Sequence, residues 1–434
     1  MKSFIHVLKE KPMNFKDEIL SLNKKTLNLI NLLREISKKL NIKIYLVGGS
    51  VRDLILKKRN FDLDFVTEGS AIKVCEQLSK ILNCECIYNS QFLTAKLNFE
   101  DKTLDFATAR REKYLFPGAL PKVSMSNLRE DLFRRDFTIN AMAISLNESD
   151  FGTLYDFYNG YQDLKEKIIR VLHPKSFLDD PTRIFRGIRF KERLNFNFDR
   201  LTFSLMLDAI KKNALFTIDE HRIKDEIFLI LREEGVAKYL KSIQKICSFR
   251  FINKKIKLDK KDLDFIDRLE KNLTSFSKRF KLNLDKASII LGVMFSKLNK
   301  KEIAEIYKRF GYKKTEQKIF LDIKKINILK NYLKKVSSSS KLYFLLKSLS
   351  NEALYVLYQK SKKFLRKKIE FYLEELRFVK IQTTGDFLKK LGVKEGPIYS
   401  EIFKKVLLKK LEAKIKDRAE EEAYIKKLLK TQVK

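Results

Sequence analysis

An α+β domain over roughly residues 1–148, followed by a chain that is almost wholly helical from about residue 176, is the architecture the sequence predicts. Two patterns carry this. Short β-branched and aromatic runs crowd the first third, among them IKIYLV, FDLDFVT, CECIYN, TAKLNF and KTLDFATA, with helical patterns between them. Later, Leu, Ile and Phe recur at spacings of three and four while Gly and Pro become sparse, as in packed amphipathic helices.

Taken in order, residues 17–40 place Ile19, Leu20, Leu27, Leu29, Ile30, Leu32, Leu33, Ile36 and Leu40 at helical spacing, which predicts one helix there. IKIYLV follows as a short strand that breaks at Gly48 and Gly49. FDLDFVT predicts the next strand, AIKVCEQLSKIL a helix, and the last three runs named above further strands. In the helical half, breaks fall at FINKKIKLDKKD, FGYKKT, the serine run Ser337 to Ser340 and IQTTGDFLKKLGVKEGP. The serine run is a linker or a helix-capping loop, and its shortness favours the loop. EIFKKVLLKKLEAKIKDRAEEEAYIKKLLK joins a Leu/Ile stripe to a Lys-rich face, either a solvated face or one suited to phosphates.

With 434 residues the chain exceeds one compact core, and 44% hydrophobic residues suffice to build several. Its formal net charge is +37, from 92 Lys+Arg against 55 Asp+Glu, which points to a polyanionic partner, nucleic acid first, unless biased codon usage explains the lysines. The purely apolar stretches, such as AMAISL and IILGVMF, fall far short of the roughly 18 residues a membrane helix needs. No secretory apolar region stands at the start, so a soluble, cytoplasmic protein without membrane contact is expected. Cys75, Cys84, Cys86 and Cys247 form no CxxC pair, and with His6, His173 and His221 they offer no zinc spacing. Reduced, free cysteines are expected.

The stretch YLVGGSVRDLILKKRNFDLDFVTEG carries the chemistry. Gly48 and Gly49 let the backbone turn sharply after a strand and approach a ligand, with amide N–H groups of the next helix facing phosphate oxygens. Arg52, within the first helical turn, adds a guanidinium to that anion site. Asp62 and Asp64 fall on one side of the next strand, where two carboxylates repel unless a cation lies between them. Mg²⁺ suits such hard oxygen ligands together with substrate phosphates, and Asp105 on a later strand can face the same metal. A solvated strand end would explain an Asp-x-Asp alone; it does not explain the glycines and Arg52 beside it.

These residues resemble the class II tRNA nucleotidyltransferases and bacterial poly(A) polymerases, within the DNA polymerase β-like nucleotidyltransferase superfamily. The likeness covers roughly residues 40–230: LVGGSVRD with DLD resembles the family's first motif, ARREKYLFPGALPKV the mobile loop, and DLFRRDFTINAMA the second signature. LYDFYNGYQDLKEKIIR is similar to the passage from head to neck, DDPTRIFRGIRF to the nucleotide-selecting motif, and HRIKDE to the neck-stabilising motif. Two departures are His221 and Asp179, each where the family more often has Glu. The resemblance implies a polymerase β-like mixed-sheet nucleotidyltransferase head with a helical extension (1–148), then all-α neck (149–235), body (236–340) and tail (341–434) domains.

In DDPTRIFRGIRF, Pro181 suits a first helical turn with Asp180 as N-cap, and Arg183, Arg186 and Arg189 stay near one face. Cytosine and adenine each present an amine beside a ring-nitrogen acceptor. Asp180 and Arg183 can therefore select them, rejecting uracil and guanine by leaving buried polar groups unpaired. Arg186 and Arg189 then meet the triphosphate or brace the pocket. The alternative is that Asp180 is only a cap and the arginines pair with acids elsewhere. In RRDFTINAMA, Arg134 and Arg135 offer cations to an anionic sugar-phosphate, Asp136 and Asn140 fix them and bond a ribose, and Phe137, Ile139, Ala141 and Ala143 alternate as strand core. A surface salt-bridge cluster is the plainer alternative. Arg110, Glu112 and Tyr114 either close over the nucleotide or belong to an ordinary loop.

The expected activity is template-independent addition of C and A residues to the tRNA 3′ end from CTP and ATP, with release of pyrophosphate and full CCA addition favoured. Within the family, CC-only addition, A-only addition and poly(A) synthesis compete, and a partial enzyme would need a complementary nucleotidyltransferase. From another class, a non-catalytic RNA-binding protein would be expected to have lost a carboxylate of the metal site, and all are present.

Overall fold

The structure is a computed structural model that describes residues 13–58, 63–100, 102–116 and 118–432. The chain divides into two compact units, residues 1–227 and 228–434.

The first unit opens with α1 (Lys16–Leu20) and α2 (Lys24–Leu40). The single helix expected over 17–40 is therefore two. Asn23 explains the break, because its side chain accepts the Thr26 N–H and restarts the helix, while Leu29, Ile30, Leu33 and Ile36 form the buried stripe. The sequence then folds as β1 (Lys43–Val47), α3 (Gly49–Ile55), β2 (Leu63–Glu68), α4 (Ala71–Leu82), β3 (Cys86–Asn89), β4 (Thr94–Phe99) and β5 (Lys102–Thr108). A hairpin of β6 (Arg110–Lys113) and β7 (Lys122–Met125) leads to α5 (Leu128–Phe133), β8 (Ala143–Ser145) and β9 (Leu154–Tyr155).

One seven-stranded sheet takes the order β3-β4-β5-β2-β1-β8-β9. Every neighbouring pair is antiparallel except β2 and β5, which run parallel, so the sheet is mixed as expected. Leu63, Phe65, Leu97, Leu104 and Phe106 are buried, as are Val74, Cys75 and Leu78 of α4, and Phe65 stacks on Phe106.

RRDFTINAMA departs from the alternating strand expected of it. Residues Thr138–Asn140 form a 3₁₀ turn, and strand structure begins only at Ala143. The cause is local: Asp136 Oδ1 accepts the Phe137 N–H (2.8 Å) and the Asn140 side-chain amide (2.9 Å), bonds that compete with a sheet ladder. Phe137, Ile139, Ala141 and Ala143 are nonetheless all buried.

Beyond the sheet come α6 (Gly160–Glu166), β10 (Ile168–Ile169), α7 (Ser176–Asp179), α8 (Thr182–Leu194), β11 (Asn197–Phe198), α9 (Arg200–Lys211) and α10 (Glu220–Arg232). The parallel pair of β10 and β11 ties down the C-terminal side of α8. Gly187 lets α8 sit close to Phe137 and Phe198, which a Cβ would meet at 3.0 and 3.1 Å.

The second unit is helical throughout its described residues, from Val236–Ile246 to Arg418–Gln432. Ser338 caps the helix Ser339–Lys347 by accepting the Lys341 N–H, so the serine run is a capping loop. Leu388, Ile402, Val406 and Ile425 form a small apolar core of their own near the C-terminus.

Gly160 tests the packing behind the 3₁₀ turn. A Cβ there would lie 2.2 Å from the Thr138 carbonyl oxygen, a backbone atom that cannot swing aside. Gly160→Ala should lower stability by about 1–3 kcal/mol in denaturant unfolding, and an unchanged midpoint would contradict this packing.

Candidate active site

The polar centre of the first unit begins where β1 ends. Gly48 has φ 66° and ψ −126°, a region closed to side chains, and a Cβ on it would lie 2.6 Å from Arg135 Nη1. On Gly49 a Cβ would come within 3.6 Å of Arg52 Nη2 and 4.0 Å of Asp64 Oδ2. The two glycines thus open the space between the arginines and the carboxylate. Arg52 is less available to an anion than its place in the helix suggests. It is 4% exposed, its Nε and Nη2 donate to the two oxygens of Asp53 (3.0 and 3.1 Å), and its Nη1 donates to Asn140 Oδ1 (2.5 Å). The guanidinium still lines the cavity described below, but it is committed to bracing Asn140.

Asp64 on β2 and Asp105 on β5 are direct partners across the parallel pair, so both carboxylates project from one face in adjacent strands. The Asp64 N–H donates to Ser50 Oγ at 2.9 Å, which ties β2 to the glycine turn. Asp105 is half exposed and meets Lys96 Nζ at 3.2 Å. Asp62 lies outside the described residues. Two adjacent carboxylates with hard oxygen donors fit a divalent cation. Among the described residues no group of three or more His, Cys, Asp or Glu side chains could hold a metal ion. A complete coordination sphere therefore calls for Asp62 or for oxygens of a ligand.

Beside Asp64 lies a cavity of about 650 Å³. It brings together Gly48, Gly49, Arg52, Arg134, Arg135, Asp136, Asn140, Asp180, Arg183, Arg186 and Arg189, all singled out in the sequence, and places Asp105 just outside. Among the described residues nine arginines line it (52, 110, 134, 135, 183, 186, 189, 193, 222) against four carboxylates (64, 112, 136, 180). That excess makes an anionic ligand the fitting occupant.

Buried acids hold these cations in place. Asp131, with no exposed side-chain surface, takes Arg134 Nη2 at 2.7 Å and Arg135 Nη2 at 3.0 Å. Its burial alone would raise its pKa, but the two guanidiniums carry it below the ordinary carboxylate value. Glu112 accepts from Arg134 Nη1 (2.9 Å), Arg110 Nη2 (3.1 Å) and the Tyr114 hydroxyl (2.8 Å), so the hairpin is stitched to the arginine wall. Asp136 Oδ2 accepts from Arg186 Nε and Nη2 at 2.9 and 2.7 Å. Burial opposes its charge, yet Arg186 and the Asn140 amide bring its pKa down to about 2. Glu226 on α10 meets Arg186 Nη1 at 3.5 Å and Arg189 Nη2 at 3.8 Å.

Arg183 donates Nη1 to Ser176 Oγ and Nη2 to the Arg134 carbonyl, both at 2.6 Å. Asp180 Oδ1 accepts the Thr182 N–H (3.2 Å) and hydroxyl (2.7 Å), as an N-terminal cap does, and also Arg222 Nη2 (2.9 Å). Arg186 and Arg189 are thus acid-paired, Arg183 bonds a hydroxyl and a carbonyl instead, and all three line the cavity with Asp180. Sequence reasoning passed over Asp131 and Arg222. Asp131 was findable, since it precedes Arg134 and Arg135 by three and four residues, helical pairing distances. Arg222 carries no such local signal.

Residues 44–170 match the family described as the Poly A polymerase head domain. The chain is 33% identical over 413 residues to the A-adding tRNA nucleotidyltransferase of Geobacter sulfurreducens, covering 91% of this chain and 46% of that protein. Against the enzyme of the same name from Aquifex aeolicus it is 38% identical over 356 residues, 81% of this chain and 43% of that protein. It therefore spans less than half the length of these two relatives. A solved CCA-adding enzyme, apo form II, aligns with a TM-score of 0.79 at 31% identity over 97% of this chain and 100% of that one. The Thermotoga maritima CCA-adding enzyme complexed with tRNA aligns with a TM-score of 0.74 at 30% identity, with the same coverage.

The depressed pKa of Asp136 fixes a pH dependence. A carboxyl at about 2 when folded, against 3.8 ordinarily, adds about 2 kcal/mol of stability above about pH 4, and that stability is lost as pH falls through 2. In urea unfolding, the stability gap between wild type and Asp136→Asn should narrow between pH 5 and pH 2. A gap independent of pH would contradict the ion pair.

Proposed function

The chain belongs to the class II tRNA nucleotidyltransferase and poly(A) polymerase family, and on that premise we propose that it adds C and/or A residues to the 3′ end of tRNA from CTP and ATP without a template. The observation that carries the proposal is the arginine-lined cavity opening onto Asp64, with Asp105 beside it.

In this reading the 3′ hydroxyl of the RNA attacks the α-phosphorus, the new O3′–P bond forms as the bond to the leaving oxygen breaks, and pyrophosphate departs. The arginines neutralise the triphosphate and hold it in place, which is most of what phosphoryl transfer asks of a protein. Asp64 and Asp105, with Asp62, would hold the divalent ion this family's chemistry calls for, Mg²⁺ in our reading, which when bound supplies charge neutralisation and eases deprotonation of the hydroxyl. Asp180 and Arg183 read the base. Arg183 spends two N–H groups on Ser176 and Arg134, which fixes its plane and leaves three of five donors. Asp180 is engaged through Oδ1, and among the described residues none donates to Oδ2, so Oδ2 can accept from the amine of cytosine or adenine.

The finer division into head (1–148), neck (149–235), body (236–340) and tail (341–434) belongs to the same proposal, with the Lys-rich tail meeting the A-form backbone of tRNA by shape and charge. A cytoplasmic setting fits four free cysteines and the absence of any membrane-crossing helix among the described residues.

A second reading, addition of A alone, is favoured by the relatives named A-adding, at 33%, 38% and 40% identity. Incubating the protein with tRNA lacking its CCA end, or ending in CC, and with labelled CTP or ATP separates the readings. Full CCA addition predicts both labels; A addition alone predicts only ATP onto the CC end. Unbounded A addition to any RNA would overturn both. Asp64→Ala should abolish incorporation, by at least about 100-fold, while tRNA binding stays intact; normal turnover would place the chemistry elsewhere.

A further inference from the structure

A second cavity, of about 590 Å³, meets the arginine-lined one at Asp64 and Arg135, which line both. Its floor is a row of the sheet. Asp64 pairs with Asp105, Asp105 with Lys96, and Lys96 with Ile87, so these four side chains cross β2, β5, β4 and β3 on one face. The opposite face is covered: Ala95, Leu97, Phe106 and Phe65 are buried, and Cys86 of that face meets Cys75 of α4 at 2.7 Å. Nearer β1 even the first face is buried, with Val66 and Tyr45 packed with Leu128 and Leu132 of α5. The row toward the sheet edge stays open. Ile87 is 53% exposed, and Lys96 is half exposed, with Asn89 and Thr94 next to it.

We propose that this open face seats the single-stranded 3′ end of the acceptor RNA, and that Lys96 positions it by binding a phosphate next to the attacking nucleotide; the inference rests on the transferase reading above. In-line displacement puts the attacking hydroxyl and the leaving pyrophosphate on opposite sides of the α-phosphorus. The pyrophosphate belongs with the nine arginines. The acceptor therefore enters from the other side of Asp64, across Asp105 and Lys96. Strand spacing of about 4.8 Å sets Lys96 one step beyond Asp105, within reach of the terminal nucleotide's backbone. The ammonium now pairs with Asp105 at 3.2 Å, with both side chains about half exposed. Such a pair is weak and easily exchanged, so Lys96 can release Asp105 to a metal ion and take a phosphate instead. Ile87 offers an apolar surface to a base at the sheet edge.

The test is equilibrium binding, by fluorescence anisotropy, of tRNA ending in CC and of the same tRNA cut back to its acceptor stem. Lys96→Ala should weaken binding of the CC-ended tRNA about tenfold and reduce the slope of log affinity against log salt by about 0.7, the share of one single-strand phosphate. Lys96→Arg should restore most of both. Binding of the trimmed tRNA, and of ATP, should change less than twofold. Unchanged affinity for the CC-ended tRNA, an equal loss for the trimmed one, or a matching loss for ATP would each overturn the assignment. Because binding is read without turnover, a wild type that binds in this way but transfers no nucleotide would refute the transferase reading and leave the RNA seat standing.

Discussion

Like-charge repulsion among nine arginines around one cavity is the constraint that the rest of the first unit is arranged to satisfy. Unopposed, that charge would force the walls apart. Asp131, Glu112, Asp136 and Glu226 oppose it, each paired with at least one guanidinium and each anchored on a different element: α5, the β6–β7 hairpin, the segment before the 3₁₀ turn, and α10. Removing one partner of a buried pair leaves the other charge uncompensated, so these acids fix the geometry of the site. The wall stays positive toward the cavity because, among the described residues, nine guanidiniums line it against four carboxylates, while Asp131 and Glu226 lie outside the lining.

This arrangement links distant parts of the first unit. Arg186 on α8 bonds Asp136 beside the 3₁₀ turn, Asn140 at the end of that turn receives Arg52 from α3, and Arg183 reaches the Arg134 carbonyl. The helix that would read the base is thereby held to the turn that would hold the phosphates. The close approach of α8 at Gly187 and of α6 at Gly160 serves the same end, since both glycines allow packing directly onto Phe137 and Thr138.

Much of this was legible in the sequence, for a physical reason. Short-range periodicity reports burial, so β1 to β5, α4 and the helical second unit could be read directly, and the Asp-x-Asp and glycine motifs marked the site. What escaped depended on competition or on distant pairing. The break at Asn23 is a cap that outweighs a continuous apolar stripe. The turn at Thr138–Asn140 arises because Asp136 satisfies backbone and amide donors locally, although the residues alternate like a strand. Arg52 was legible as an anion donor, but its bond to Asn140 joins residues 88 positions apart. The facing of Asp64 and Asp105 required the parallel register of β2 and β5, and Asp62 lies outside the described residues.

The central claim is that the arginine wall is built for a triphosphate rather than for a base or sugar alone. Calorimetric titration of the intact protein with ATP, AMP and adenosine tests it most directly. The account predicts that ATP binds at least about 100-fold more tightly than AMP and that inorganic pyrophosphate competes with it, because charge-assisted bonds to the β and γ phosphates supply most of the affinity. Equal affinities for ATP and AMP, with no competition from pyrophosphate, would contradict it.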